Sequence, residues 1–176
     1  MSSKGILSIT EVNALPVENF EWLFGNVVEL CPEAASSAAK KRPFLSTEDL
    51  KRAFDEYLDK LDNSEKELVL LRHPDFSSKL SEEDKLTTES QSELKFVDLN
   101  AITKDDKQTL WNNNYLYTEK FRFPFVICAR KNNIESIVSR LESRLSNCRD
   151  TELKLSIEEV KKISRMRIDD LVWPDL

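Results

Sequence analysis

Apolar residues recur every three or four positions along most of this chain, the period of a helix with one buried face. In "STEDLKRAFDEYLDKL", residues 46–61, the stripe is Leu50, Phe54, Tyr57, Leu58 and Leu61. Ser46 stands three residues before Asp49 there, a variant of the capping box that opens many helices. Pro16 fits the first turn of a helix through "VENFEWLF", and Pro32 opens an alanine-rich helix, "PEAASSAAKK". "SEKELVLLR" carries the pattern on and stops at His73–Pro74, because a residue preceding proline is pushed out of helical geometry. Residues 77–88 are polar and read as a loop, after which "ESQSELKFVDL" resumes a helix. "KDDKQTLWNNNYLYTEKF" predicts another, with Leu110, Trp111 and Tyr115 inward. "NNIESIVSRLESRLSN" shows the stripe Ile134, Ile137, Val138, Leu141 and Leu145, and a last long helix runs from about Thr151 to Leu171. Only "FPFVICA", residues 123–129, breaks the period; it reads as a short extended, buried segment between helices. The expected fold is all-α: a single compact multi-helix domain over residues 1–176 with one short extended segment near 123–129.

Composition narrows the function classes. Two glycines in 176 residues argue against a fold of tight hairpins and against a glycine-rich phosphate loop. The net charge of −6 provides no concentrated basic face for nucleic acid. The longest apolar stretch, Phe123–Ala129, is far too short to span a bilayer, so no membrane association is expected. "MSSKGILSIT" lacks a secretory pattern, and Cys31, Cys128 and Cys148 are far apart, which fits a reduced, cytoplasmic protein. The chain ends in "PDL" rather than a Ser-Lys-Leu type of peroxisomal address. With one histidine and scattered thiols, no metal site is expected.

Three polar residues stand where the pattern asks for apolar ones. Arg167 lies four residues after Ile163 and four before Leu171, on the face that should be buried. A buried guanidinium cannot shed its charge and needs an anion beside it, or else snorkels at the edge of the core. Counting from Leu86, the inward positions are Ser90, Glu93, Leu94 and Val97, and Glu93 has Phe96 and Val97 at i+3 and i+4. Such a carboxylate suits proton transfer, and equally suits neutralising Arg167 or Arg130. His73, the only histidine, ends a helix; it is either a cap on the last carbonyls or an acid–base group. Together the three make a better case for a site than any one alone.

Several strings then carry a resemblance: "RPF" at 42–44, "HPD" at 73–75, "LTTES" and "SE" between Leu86 and Glu93, "KFRFPFVICAR" at 120–130 and "RMRIDDLV" at 165–172. Over nearly its full length the chain resembles the 2-oxo-4-hydroxy-4-carboxy-5-ureidoimidazoline (OHCU) decarboxylases of urate degradation. The resemblance implies an all-helical, usually dimeric enzyme without a cofactor that converts OHCU to (S)-allantoin and carbon dioxide. It places the catalytic His on His73, the essential Glu on Glu93 and the Arg of the C-terminal helix on Arg167. Substrate contacts are implied at Pro74, at Ser90, Gln91, Ser92, Glu93 and Leu94, and at Phe125, Val126, Ile127, Cys128 and Ala129. The implied partners are the small ureidoimidazoline substrate and a second copy of the chain.

Five positions, in three places, depart from the family pattern. Phe76, Ser77 and Ser78 follow His-Pro-Asp where the family has Leu and Ala-Gly; Leu94 replaces a Gln; and Arg122 replaces the glycine of "FGFPF". A positive φ at Arg122 would now carry strain. Two rival readings stay open: a relative that kept the pocket but lost turnover and binds ureides or partner proteins, and a helical interaction scaffold with a structural His–Glu–Arg cluster.

Overall fold

The computed structural model describes residues 5–76 and 83–175. Nine α-helices form among the described residues: α1 (Ile9–Ala14), α2 (Val17–Phe24), α3 (Pro32–Ala39), α4 (Thr47–Lys60), α5 (Asn63–Arg72), α6 (Thr88–Leu94), α7 (Lys104–Phe121), α8 (Ile134–Arg144) and α9 (Arg149–Leu171). Two compact units emerge, one from the described residues of Met1–Arg72 and Val160–Leu176, the other from those of His73–Glu159.

In the first unit, α3 packs against α2 and α4. Its buried residues, Ala34, Ala35, Ala38 and Ala39, are small enough to let the neighbouring backbones come close. Around them lie Phe20, Phe24, Phe54, Leu50 and Leu58; the Phe20 and Phe24 rings are 4.6 Å apart. The second half of α9 runs antiparallel to α4 along a ladder of ion pairs. Lys51 meets Asp169 at 2.6 Å, Asp55 meets Arg165 at 2.6 Å and Asp59 meets Lys161 at 2.6 Å. Four residues up one helix correspond to four residues down the other, which fixes the register of the helix that carries Arg167. The N–H groups of Ile6 and Leu7 donate to the Leu171 carbonyl, and the Trp173 N–H donates to Leu7. A Cβ on Gly5 would lie 2.3 Å from the Trp173 nitrogen, so only glycine fits this crossing.

The second unit is built on aromatic rings. Tyr117 stacks tilted on Phe121 at 4.6 Å and meets Phe125 edge-on at 5.3 Å. Three of its helices, α6, α7 and α8, start on side-chain caps that satisfy orphan N–H groups. Thr87 accepts from Ser90 N, Thr103 from Asp106 N and Asn133 from Ser136 N. Helix α7 ends at Arg122, whose φ of 62° is left-handed and whose N–H donates to Thr118 O. The residue that replaces the family's glycine therefore does adopt the conformation that favours glycine.

The all-helical expectation holds, with four corrections. Helix α1 was not anticipated, although Ser8 and Glu11 form a complete capping box there. Helix α6 stops at Leu94 instead of running to Leu99: Phe96 and Val97 tighten to i→i−3 bonds, and Asp98 turns back on the Asn100 N–H. On α7 the buried positions are Leu110, Asn114, Tyr117 and Phe121, while Tyr115 is 65% exposed and Trp111 half-buried. Leu110 is inward as expected, but the buried face continues to Tyr117 and Phe121, seven and eleven residues on, whereas Tyr115 follows the half-buried Trp111 by four. Of the loop expected over 77–88, residues 77–82, with Ser77 and Ser78, lie outside the described residues; Glu83–Lys85 is a 3-10 turn. The 123–128 stretch is indeed non-helical and enters no strand; Cys128 is extended, and a 3-10 turn follows at Ala129–Lys131.

Candidate active site

Helix α5 ends on a buried pair, Val69 and Leu70, and the chain leaves it directly into His73. His73 is 5% exposed and its Nε2 is sealed from solvent. The imidazole is therefore a buried side chain at the end of the helix. Pro74 is half-buried, and Asp75 beside it accepts from Asn114 Nδ2 of α7 at 3.3 Å.

Helix α6 presents the face that its periodicity demands. Ser90, Glu93 and Leu94 are buried, with Glu93 only 4% exposed, and Val97 continues the stripe. Phe96 does not: it is exposed, and its ring carries the Arg130 guanidinium at 5.0 Å. Of the two residues expected to cover Glu93, only Val97 is buried. Gln91 and Ser92 are half-buried and bond locally, Gln91 to Leu86 O at 3.2 Å and Ser92 to Thr88 O at 2.9 Å.

Phe125, Val126, Ile127, Cys128 and Ala129 are all buried, and α6 packs on the turn that ends this segment. Burial pushes the Cys128 thiol pKa up, and the carboxylates of Glu159 and Glu93 push it further. Glu93 and the 125–129 segment thus share one environment. The segment's backbone is satisfied by side chains rather than by a sheet. Arg144 donates to Val126 O at 2.8 Å, Cys128 N–H donates to Glu159 at 2.9 Å, and Asn132 donates to Cys128 O at 2.9 Å.

Arg167 belongs to the first unit and is 3% exposed. Its Nη1 donates to Glu29 Oε2 at 2.7 Å and to Asn26 O at 2.9 Å. The anion that burial requires is therefore provided at least in part by Glu29, which lies in the turn between α2 and α3. Sequence reading missed Glu29 because residues outside helices carry no period to violate. It also missed Arg144, Glu152 and Glu159, although signals existed. Arg144 continues the Ile137–Leu141 stripe by three residues, and Glu152, Ser156 and Glu159 form their own i, i+4, i+7 line on α9.

Chemically, the second unit offers a buried imidazole, a buried carboxylate and a hydrogen-bonded backbone edge. The first offers a guanidinium oriented from one side. Among the described residues no helix is long and apolar enough to cross a membrane.

Comparison with known proteins agrees over most of the chain. The OHCU decarboxylase family model matches residues 13–169. The 2-oxo-4-hydroxy-4-carboxy-5-ureidoimidazoline decarboxylase of Amia calva is 39% identical over 166 residues, covering 94% of this chain and 95% of that protein. The mouse protein of the same name is 36% identical over 166 residues, covering 94% and 93%. Among solved structures, an (S)-allantoin synthase superposes with a TM-score of 0.74 at 18% identity, over 92% of this chain and 52% of that one. An OHCU decarboxylase determined in the presence of (S)-allantoin gives 0.59 at 21% identity, over 77% and 87%. These last two speak to the fold, and the sequence relatives speak to descent: the chain belongs to the OHCU decarboxylase family.

Proposed function

We propose that this chain is a cofactor-independent carboxy-lyase that converts OHCU to (S)-allantoin and carbon dioxide in urate degradation. The observation that carries the reading is the burial of His73, Glu93 and Arg167 in a member of this family. Charged and titratable groups are rarely kept out of water without a task or a partner.

In the proposed reaction the carbon–carboxylate bond breaks and its electron pair passes into the adjacent imine or carbonyl system of the substrate. That sink lies in the substrate, so the protein has to supply orientation, charge complementarity and one proton. Arg167 supplies a planar fork for the substrate anion. Glu93 accepts from ureido or ring N–H groups and orients His73. His73 delivers the proton to one face of the carbon, which sets the product's handedness. Pro74, Ser90 and the 125–129 segment line the substrate. The working form proposed is a cytoplasmic homodimer, for which exposed Trp22 and Trp173 offer apolar surface to a second copy.

The test is stereochemical. OHCU generated from urate by uricase and hydroxyisourate hydrolase is followed by circular dichroism with and without this protein. Faster decay with enrichment of (S)-allantoin is expected, and His73→Asn and Glu93→Gln should each abolish it. Decay no faster than in buffer would overturn the proposal. A second reading, a binder with impaired turnover, draws on buried Leu94, which puts an apolar side chain beside Glu93 where the family has Gln. It is favoured only if (S)-allantoin binds while OHCU decay is unchanged.

A further inference from the structure

Two charged side chains with no assigned part in the chemistry grip the 125–128 backbone. Arg144 on α8 holds the Val126 carbonyl and Glu159 on α9 holds the Cys128 N–H. In an extended chain the carbonyl of one residue and the N–H two residues on share an edge, while the peptide groups of the residue between them face the other way. With the extended backbone at Cys128 both grips fall toward one edge, and they hold the two peptide planes that carry the Ile127 N–H and C=O.

The frame behind that edge is elaborate. Nε of Arg144 donates to Glu152 at 2.5 Å and Nη2 to Ser156 Oγ at 2.9 Å. Glu152 also accepts from Tyr117 Oη at 2.5 Å and from Asn147 at 3.0 Å. The guanidinium lies 4.5 Å from the Phe125 ring, so it holds a side chain of the segment as well as its backbone. Buried ion pairs add little net stability over apolar replacements, so a network of this size is a poor way merely to join two helices. What it delivers is position: a guanidinium with its fork occupied has no freedom left, and neither has the carbonyl it holds.

We propose that Arg144 and Glu159 are positioning residues that fix one edge of this segment so that the Ile127 N–H and C=O are presented, donor beside acceptor, to the urea-like edge of the substrate. The inference rests on the proposed function, because it assigns that segment to substrate binding.

Steady-state kinetics on OHCU test it with Arg144→Met, Glu159→Leu and the conservative Glu159→Gln, which keeps a carbonyl acceptor for Cys128. Arg144→Met and Glu159→Leu should raise KM by about tenfold while kcat changes by less than about threefold, the signature of lost ground-state binding. Glu159→Gln should return KM to within about threefold of wild type, with amide exchange at Cys128 slowed again relative to Glu159→Leu. A merely structural role would lower the active fraction and leave KM alone. If Arg144→Met does not fold, the Glu159 pair carries the test. An active wild type whose KM is unmoved by Glu159→Leu overturns this inference and spares the proposed function. A wild type that does not accelerate OHCU decay overturns the proposed function, and this inference with it.

Discussion

Oε2 of Glu29 lies 2.7 Å from Nη1 of Arg167, and both side chains are 2% exposed. Neither charge has water to fall back on, so removing one takes a close counter-charge from the other. Glu29→Ala should lower stability by about 3–5 kcal/mol, the usual consequence of breaking a buried pair. Arg167→Met alone takes the guanidinium away from the buried Glu29 carboxylate and should also destabilise, against the tolerance that a purely structural scaffold predicts. Replacing both, as Glu29→Leu with Arg167→Met, should recover most of the loss in urea denaturation while leaving OHCU decay at the buffer rate.

At Arg122 the backbone is in the left-handed region, with a φ of 62°. A residue with a Cβ there costs about 1–2 kcal/mol, and glycine returns part of that through greater freedom when unfolded. Its ion pair with Glu119, 3.6 Å long and with side chains 72% and 49% exposed, offsets little. Arg122→Gly should raise the unfolding free energy by about 0.5–1 kcal/mol. A midpoint that falls instead would show that the side chain has a tertiary role.

The three thiols should separate cleanly toward a thiol reagent. Cys148 is exposed at the start of α9, and hydrogen bonding from Thr151 lowers its pKa. Burial raises the pKa of both Cys31 and Cys128. One equivalent should react quickly in the native protein and two more only on unfolding. Cys148→Ser should remove the fast phase and leave OHCU turnover unchanged.

Acid should weaken the first unit through carboxylates held below their ordinary value of 4.5. The Glu11 pKa is lowered by the Ser8 N–H and hydroxyl, that of Glu56 by hydrogen bonding and then charge attraction from Lys41. A depressed folded-state value means that the unfolded chain takes up the proton first. Each contribution is therefore complete above the ordinary carboxylate range and is lost as pH falls through the lower folded value. Between pH 6 and pH 3, wild type should lose more stability than Glu11→Gln or Glu56→Gln. Equal losses would show that neither contact is formed in solution.

The helices were legible in the sequence because their causes are local: an apolar residue every third or fourth place, a Ser or Thr at the start, a proline at the end. Ser46 accepts from Asp49 N at 3.1 Å, as its spacing predicts, although the Asp49 carboxylate reaches Leu45 N rather than closing the box on Ser46. The inward phase of α6 and of α9 was equally readable, so the burial of Glu93 and Arg167 followed from counting. On α7 two stripes compete, Leu110–Tyr117–Phe121 and Trp111–Tyr115, and tertiary neighbours favour the first. Tyr117 is drawn in by Phe125 and Glu152, from far along the chain.

By itself, then, the sequence determined an all-helical chain, its family, and that Glu93 and Arg167 face inward. Tertiary structure alone decided their company: Glu29 for Arg167, Arg144 and Glu159 for the 125–128 backbone. Periodicity reports which side of a helix is dry, since that depends on the helix itself. The partner that makes a buried charge tolerable depends on which distant element packs there, and no local pattern encodes it.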